Sequence, residues 1–241
     1  MNQEPDKDKI TEYAQIITEL CNNLPCKYSV KELSCDVLAD LPKNGVYVVL
    51  DNKQFDFGLP RIVRVGTHTG KDNLPNRIKN HFLSDDKDSS IFRKNIGLAL
   101  LEQDNSSDDL FKKQWKTDFK DTNKNKNWKN PDFNFGFEYL EKKDALEKRV
   151  TDYMKKNLSF AVIEIKGSSQ DKIREKCLDL EGKLISTLSW DNKLNQKSFN
   201  NWLGKYSPEM KIKESGLWLI QKLYKTPFHS ENELDIIKGR R

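Results

Sequence analysis

The chain has 241 residues, of which 33% are charged and 10% aromatic. The aromatic share argues against disorder, and no apolar run approaches the roughly 18 residues of a membrane span. The polar start MNQEPDKDK is not typical of a secretory signal, and four cysteines without CxxC spacing favour reduced thiols. These features argue against membrane, secreted and fibrous proteins and predict a cytoplasmic one. The net charge of +5 permits a nucleic-acid partner without requiring one.

Along the chain, the periodicity of apolar residues predicts an α+β fold. Helical spacing is found in six segments, 8–24, 29–40, 72–82, 90–101, 141–157 and 170–188. Runs rich in β-branched residues predict three strands, at 46–50, 61–65 and 160–165, with a polar connector over 51–60. Residues 103–140 are polar and predicted to be irregular. The expected architecture is a small, mainly antiparallel three-stranded sheet flanked by helices, with a helical N-terminal extension and an insertion.

Glu181 is the most informative single residue. On the predicted helix 170–188, at about 100° per residue, the apolar positions cover an arc of about 160°, and Glu181 projects inside it. A carboxylate that faces a core must be paired, protonated or bound to a metal ion. Two interpretations stay open at this point, a buried ion pair or edge residue and a metal ligand or catalytic carboxylate.

Arg77 and His81 form a second candidate site. They are four residues apart on the predicted helix 72–82 and therefore share a face. A permanently charged guanidinium beside a group that titrates near neutrality suits a phosphate site, and the alternative is an ordinary solvated helix face. Tyr47, in the first predicted strand, is either a packing residue or a catalytic hydroxyl.

The order of these segments carries more information than each of them alone. The sequence has, in this order, Gly45-Val46-Tyr47, Arg64-Val65-Gly66, Asn76-Arg77-Ile78-Lys79-Asn80-His81-Phe82 and Leu180-Glu181-Gly182. This order resembles the GIY-YIG nuclease family over about residues 44–205. The segments 90–97, 201–204 and 215–218 are similar to those of a little-described bacterial branch of that family.

The resemblance implies a catalytic set of Tyr47, Arg77, His81 and Glu181. Glu181 would hold one Mg²⁺ or Mn²⁺, a hard ion that accepts few carboxylates and keeps several waters. Arg77 would brace the scissile phosphate, and Tyr47 and His81 would orient or deprotonate the attacking water. The family also has an asparagine after the glutamate, for which Asn192, Asn195 and Asn201 are alternatives.

Basic residues elsewhere are candidates for contacts with a nucleic acid. Residues 111–137 interleave lysines with aromatic side chains, which can attract a phosphate backbone and stack on bases. The alternative is a subdomain whose aromatics pack inward and whose lysines are solvated. The candidate contact residues are Arg64, Lys79, Arg93, Lys112, Lys113 and Asn201.

The sequence therefore predicts a metal-dependent endonuclease that hydrolyses phosphodiester bonds in DNA, in restriction or defence, repair or mobile-element processing. RNA is an alternative substrate, no membrane partner is expected, and a homodimer is an option because double-strand cutters with one small site usually need two. Arg64 stands where the family has its second tyrosine, and Asp88 where many members have a histidine. These departures favour an alternative, a catalytically impaired nucleic-acid-binding module. The predicted division is an extension over 1–43, a core over 44–205 and a C-terminal extension over 206–241.

Overall fold

The structure is a computed structural model that describes residues 7–25, 27–117, 136–195 and 201–228. Within these ranges it contains eight α-helices and four β-strands. The helices are α1 (Lys7–Asn23), α2 (Cys35–Asp40), α3 (Leu74–Phe82), α4 (Ile91–Gln103), α5 (Asp109–Lys116), α6 (Phe137–Asn157), α7 (Gln170–Asn195) and α8 (Met210–Ser215). The strands are β1 (Lys27–Ser29), β2 (Gly45–Asp56), β3 (Leu59–Thr67) and β4 (Leu158–Glu164).

The four strands form one antiparallel sheet in the order β1-β4-β2-β3. The α+β prediction is confirmed, but three strands were expected and there are four. The additional strand is β1, which pairs with β4 where the sequence predicted the start of a helix over 29–40. The predicted connector 51–60 was also wrong, because β2 and β3 continue through it to a tight turn at residues 57–58. This outer half of the hairpin is largely exposed, so its polar residues gave no apolar pattern of a strand.

The sheet lies between two hydrophobic clusters, because successive side chains of a strand point to opposite faces. On one face, Val49 and Val63 pack with residues of α3, α4 and α6. On the other, Val46 and Val48 pack with α1 and α7, whose Leu180 and Leu184 are buried. Among the described residues, helices therefore cover both faces of the sheet.

The insertion is more regular than predicted. Residues 103–140 were expected to be irregular, but they contain α5 and the first turn of α6. Phe111 and Trp115 of α5 are buried and pack inward, as the alternative for this stretch proposed. The lysines and aromatics between residues 118 and 135 lie outside the described residues. In the part of the chain that is described, no helix is long and apolar enough to cross a membrane.

A buried charge network joins α4 to α6. The Arg93 guanidinium is fully buried and donates to the Glu147 carboxylate from both Nε and Nη2, at 2.9 and 2.8 Å. Glu147 Oε1 also accepts the backbone N–H of Lys87. Arg93 was a candidate contact to nucleic acid, and this burial contradicts that expectation, because the side chain has no exposed surface and its guanidinium is already paired with Glu147 and Asp85.

Candidate active site

Two glycines allow the strands to approach their neighbours at the site. Tyr47 of β2 lies opposite Gly66 of β3, and a Cβ atom on Gly66 would lie 2.3 Å from Tyr47 Oη. A Cβ on Gly45 would lie 2.2 Å from the carbonyl oxygen of Ile163 in β4. Both distances are far below van der Waals contact. Gly66 is therefore a steric requirement for placing the Tyr47 ring across the hairpin, and Gly45 is one for the close approach of β2 to β4.

The Tyr47 hydroxyl belongs to a buried chain of hydrogen bonds. Tyr47 Oη lies 2.7 Å from His81 Nε2, and His81 Nδ1 lies 2.6 Å from Ser90 Oγ. Arg64 Nε donates to Tyr47 Oη at 3.3 Å, and Ser90 Oγ accepts the N–H of Arg93 as the N-cap of α4. The His81 proton can lie on either ring nitrogen, and in the tautomer with the proton on Nδ1 the ring donates to Ser90 Oγ and accepts the Tyr47 hydroxyl at Nε2. In that tautomer His81 is placed to accept the proton of Tyr47.

The environment of His81 disfavours the protonated form of its ring. The ring is completely buried, and burial lowers the pKa of His81 well below its ordinary value of 6.5. The positive charges of Arg64, Arg77 and Arg93 lower the pKa further. His81 does not border the neighbouring cavity, so any effect it has on a ligand there passes through Tyr47.

A cavity of about 400 Å³ opens beside Tyr47. Its walls come from the end of β3, the helices α3, α4 and α7, and the segment 218–222 after α8. Tyr47 borders the cavity but has no exposed surface. Its hydroxyl is hydrogen-bonded to His81 and Arg64. The cavity therefore gathers residues that are up to 175 positions apart in the chain, from Tyr47 to Lys222.

Glu181 of α7 borders this cavity and does not face a closed core. Its side chain is 15% exposed, Oε1 accepts the backbone N–H of Thr67 at 3.1 Å, and Oε2 is paired with the Lys222 ammonium. Both interpretations of Glu181 thus have an observation in their favour, since the carboxylate is ion-paired and also faces a cavity. The lysine shows that a cation fits against this carboxylate.

Cationic side chains predominate around the cavity. Those that border it are Arg64, Arg77, Arg174 and Lys222, and among the described lining residues Glu181 is the one carboxylate. Arg64 is largely committed, because it donates to the carbonyl of Trp218 and its guanidinium lies over the Phe92 ring. Arg77 is half-buried, with one long bond of 3.4 Å to the carbonyl of Ser89. The site therefore carries an excess of positive charge directed at a space large enough for a phosphate group.

The structure separates the predicted residues into groups. It brings Tyr47, Arg77 and Glu181 together on the cavity and sets His81 behind Tyr47. Lys79, Lys113 and Asn201 are exposed and lie away from the cavity, and Lys112 is paired with Glu102. The side chains of Asn192 and Asn195 lie outside the described part of the chain.

Several residues of the cavity have no counterpart in the sequence prediction. Among them are Thr67, Asn95, Arg174 and Lys222. Asn95 is buried on α4, and Lys222 comes from the segment after α8. None stands in a recognisable spacing with the others, because the tertiary fold alone brings these four elements together.

Comparison with known families agrees with this geometry. A family model described as a GIY-YIG domain matches residues 4–239. Neither a search among curated proteins nor a search among solved structures gives a match.

Proposed function

The chain belongs to the GIY-YIG family and has its nuclease-type fold, and from that premise we propose that it is a metal-dependent endonuclease that hydrolyses phosphodiester bonds in DNA. Restriction or defence, repair and mobile-element processing are the settings in which such an activity would serve. The observation that carries the proposal is the cavity of four cationic side chains around Glu181. A phosphodiester is the common biological anion that needs both positive charge at its oxygens and a carboxylate-bound metal for hydrolysis.

The residues fit a single hard metal ion held by Glu181. No cluster of three or more histidine, cysteine or acidic residues occurs in the described ranges, so a zinc-type site has no support there. One carboxylate beside an aqueous cavity suits Mg²⁺ or Mn²⁺, which keep most of their waters and share the phosphate. When bound, the ion would supply Lewis-acid charge to the phosphate and help the leaving oxygen.

The side chains around the metal site would divide the remaining work. Arg77 would bind the scissile phosphate through its guanidinium fork, since among the described residues its one hydrogen bond is a long one, 3.4 Å, to the carbonyl of Ser89. Tyr47 would orient or deprotonate the attacking water, with His81 Nε2, at 2.7 Å from Tyr47 Oη, taking up the tyrosine proton. Arg64 would need to release Tyr47 Oη for this step, because its Nε–H occupies the same oxygen.

DNA contacts outside the cavity are proposed for the exposed residues Lys79, Lys113 and Asn201 and, where its ion pair opens, for Lys112. RNA as substrate and a homodimer remain proposals of the same kind, as does the division into an extension, a core over 44–205 and a C-terminal extension. The family model runs through all three of those units.

A second function is favoured by one specific observation. Tyr47 has no exposed surface, and Arg64, in the place of the second tyrosine, fixes its hydroxyl. A chain locked in this arrangement would bind nucleic acid through the cationic cavity and leave it uncut.

The experiment that tests the proposal is nicking of supercoiled plasmid with Mg²⁺ or Mn²⁺. We expect EDTA to abolish nicking and Glu181→Ala to slow it by at least about 10²-fold. The matched control is Glu175→Ala, because Glu175 lies on the same helix, is exposed and does not border the cavity. Nicking by Glu181→Ala at the parent rate would refute the metal role, and DNA binding without any cleavage would identify the binding module instead.

A further inference from the structure

The wall of the cavity that follows α8 is an integral part of the fold. The N–H of Trp218 donates to the carbonyl of Val63 at 2.7 Å, along the free edge of β3. Arg61 donates to the carbonyl of Gly216 at 2.7 Å, and Arg64 donates to that of Trp218. The Trp218 ring is fully buried. Residues 216–218 are therefore fixed against the sheet, and the residues that follow them are presented to the cavity from a defined position.

Lys222 is held in an uncommon backbone conformation at this wall. Its φ is 61°, in the left-handed region that costs a residue with a side chain about 1 kcal/mol or more. The Ser186 hydroxyl of α7 donates to its carbonyl oxygen at 3.0 Å. In this conformation the ammonium reaches Glu181. The surrounding structure thus sustains an unfavourable conformation that directs Lys222 into the cavity.

The chemistry of this lysine differs from that of its cationic neighbours. Arg64 is buried and shared between Tyr47 and Trp218, whereas the Lys222 side chain is 29% exposed. An ammonium has three donors on a flexible stem, and the bond to Glu181 uses one of them. If a divalent cation occupies the carboxylate, the like charges repel and the lysine must turn to another anion. In a cavity that holds a phosphodiester, the nearest such anion is the phosphate itself.

We propose that Lys222 is a substrate-contacting residue, which neutralises Glu181 in the metal-free site and binds the phosphate once a divalent cation has taken the carboxylate. This inference rests on the proposed function and adds a residue to it that lies outside all four motifs. It also gives the segment after α8 a role in the site.

The proposal is tested with Lys222→Met, which keeps the length and apolar stem of the side chain and removes its charge. The control is Lys225→Met, because Lys225 is exposed on the same segment and does not border the cavity. The first measurement is Mn²⁺ binding to the free protein by electron paramagnetic resonance. We expect Lys222→Met to bind Mn²⁺ about two- to fivefold more tightly, because the metal no longer displaces an ion pair.

The second measurement is binding of a short DNA duplex in Ca²⁺ over a range of salt concentrations. We expect Lys222→Met to reduce the slope of log affinity against log salt by about one. In the first measurement, the control Lys225→Met is expected to leave the affinity of the cavity for Mn²⁺ unchanged. An unchanged salt slope or an unchanged Mn²⁺ affinity in Lys222→Met would overturn the proposal. Circular dichroism verifies folding, and Lys222→Arg, which keeps the charge, is expected to retain the parent salt slope whether or not Lys222→Met folds.

These outcomes are distinguishable from failure of the proposed function. If Glu181→Ala abolishes nicking while both Lys222 measurements match the parent, the nuclease assignment stands and the role of Lys222 is refuted. If the chain never nicks DNA but Lys222→Met changes both measurements as expected, the lysine binds phosphate in a protein that does not cleave it.

Discussion

Arg77 and Arg93 differ in what their guanidinium groups face. Both lie close enough to His81 to lower its pKa. Arg93 is fully buried, and Glu147, 2% exposed, accepts two of its hydrogen bonds. Arg77 is half-buried at the cavity, with one long bond to a backbone carbonyl. A buried charge must be paired, whereas a charge at a solvated cavity can stay available for a ligand. The first arginine therefore maintains the fold, and the second is free to act on a substrate.

The largest expected effect comes from breaking the buried pair. Glu147→Ala removes the buried carboxylate and leaves the Arg93 charge with the exposed Asp85 as its remaining ion-pair partner at 3.2 Å, and we expect a loss of about 3–5 kcal/mol in the free energy of unfolding. Urea unfolding followed by circular dichroism measures it. Arg149→Ala is the control, since its ion pair with Asp104 is exposed and should contribute less than about 1 kcal/mol. Equal losses in the two variants would show that the buried network is not structural.

The cavity arginine should show the opposite behaviour. We expect Arg77→Ala to slow nicking by about 10²–10³-fold, because it removes a charge from the phosphate site. Its free energy of unfolding should change by less than about 1 kcal/mol, since Arg77 is half-buried and its hydrogen bond to Ser89 is long. Lys79→Ala, exposed on the same helix, is expected to slow nicking less than about tenfold. A large loss of stability in Arg77→Ala would show that this arginine, like Arg93, maintains the fold.

The glycine opposite Tyr47 connects the fold to the site. Gly66→Ala places a methyl group on the Tyr47 ring, and we expect it to cost about 1–3 kcal/mol of stability and to slow nicking by displacing the hydroxyl. Gly182→Ala is the matched control, because no atom lies within 4 Å of its added Cβ. In the middle of α7 that change should stabilise by about 0.5–1 kcal/mol. Thermal unfolding and nicking rates of the two variants test the difference.

The smallest effect is a pH dependence that originates at His81. Its pKa is lowered in the folded protein, so below pH 6.5 the unfolded chain binds a proton that the folded chain does not. The contribution of His81 to the free energy of unfolding should be fully present above pH 6.5. It should fall as the pH decreases toward the lowered pKa, by at most about 1.4 kcal/mol per pH unit. The measurement is urea unfolding between pH 7 and pH 5. His81→Gln should show a shallower decline, and parallel curves for the two proteins would exclude His81 as the source.

Much of the fold and part of the site follow from local pattern. The apolar spacing of α7 predicted that Glu181 would project from an otherwise apolar surface, and it does so at the cavity. The parts of β2 and β3 away from the turn, residues 45–51 and 61–66, were recognisable because their residues are buried on both faces. Their outer halves were not recognised, since exposed polar strand residues look like a connector. The strand β1 was missed because its three residues are too few for a periodic pattern.

The sequence by itself determined the α+β class, the order of the four motifs and the helical positions of Arg77, His81 and Glu181, because these depend on contacts between near neighbours in the chain. Only the tertiary structure decided which charges are paired. It buried Arg93 against Glu147, enclosed His81 behind Tyr47 and brought Lys222 onto Glu181, 41 residues away. Desolvation and Coulomb energy depend on where a group lies in space, and spacing along the chain does not encode that position.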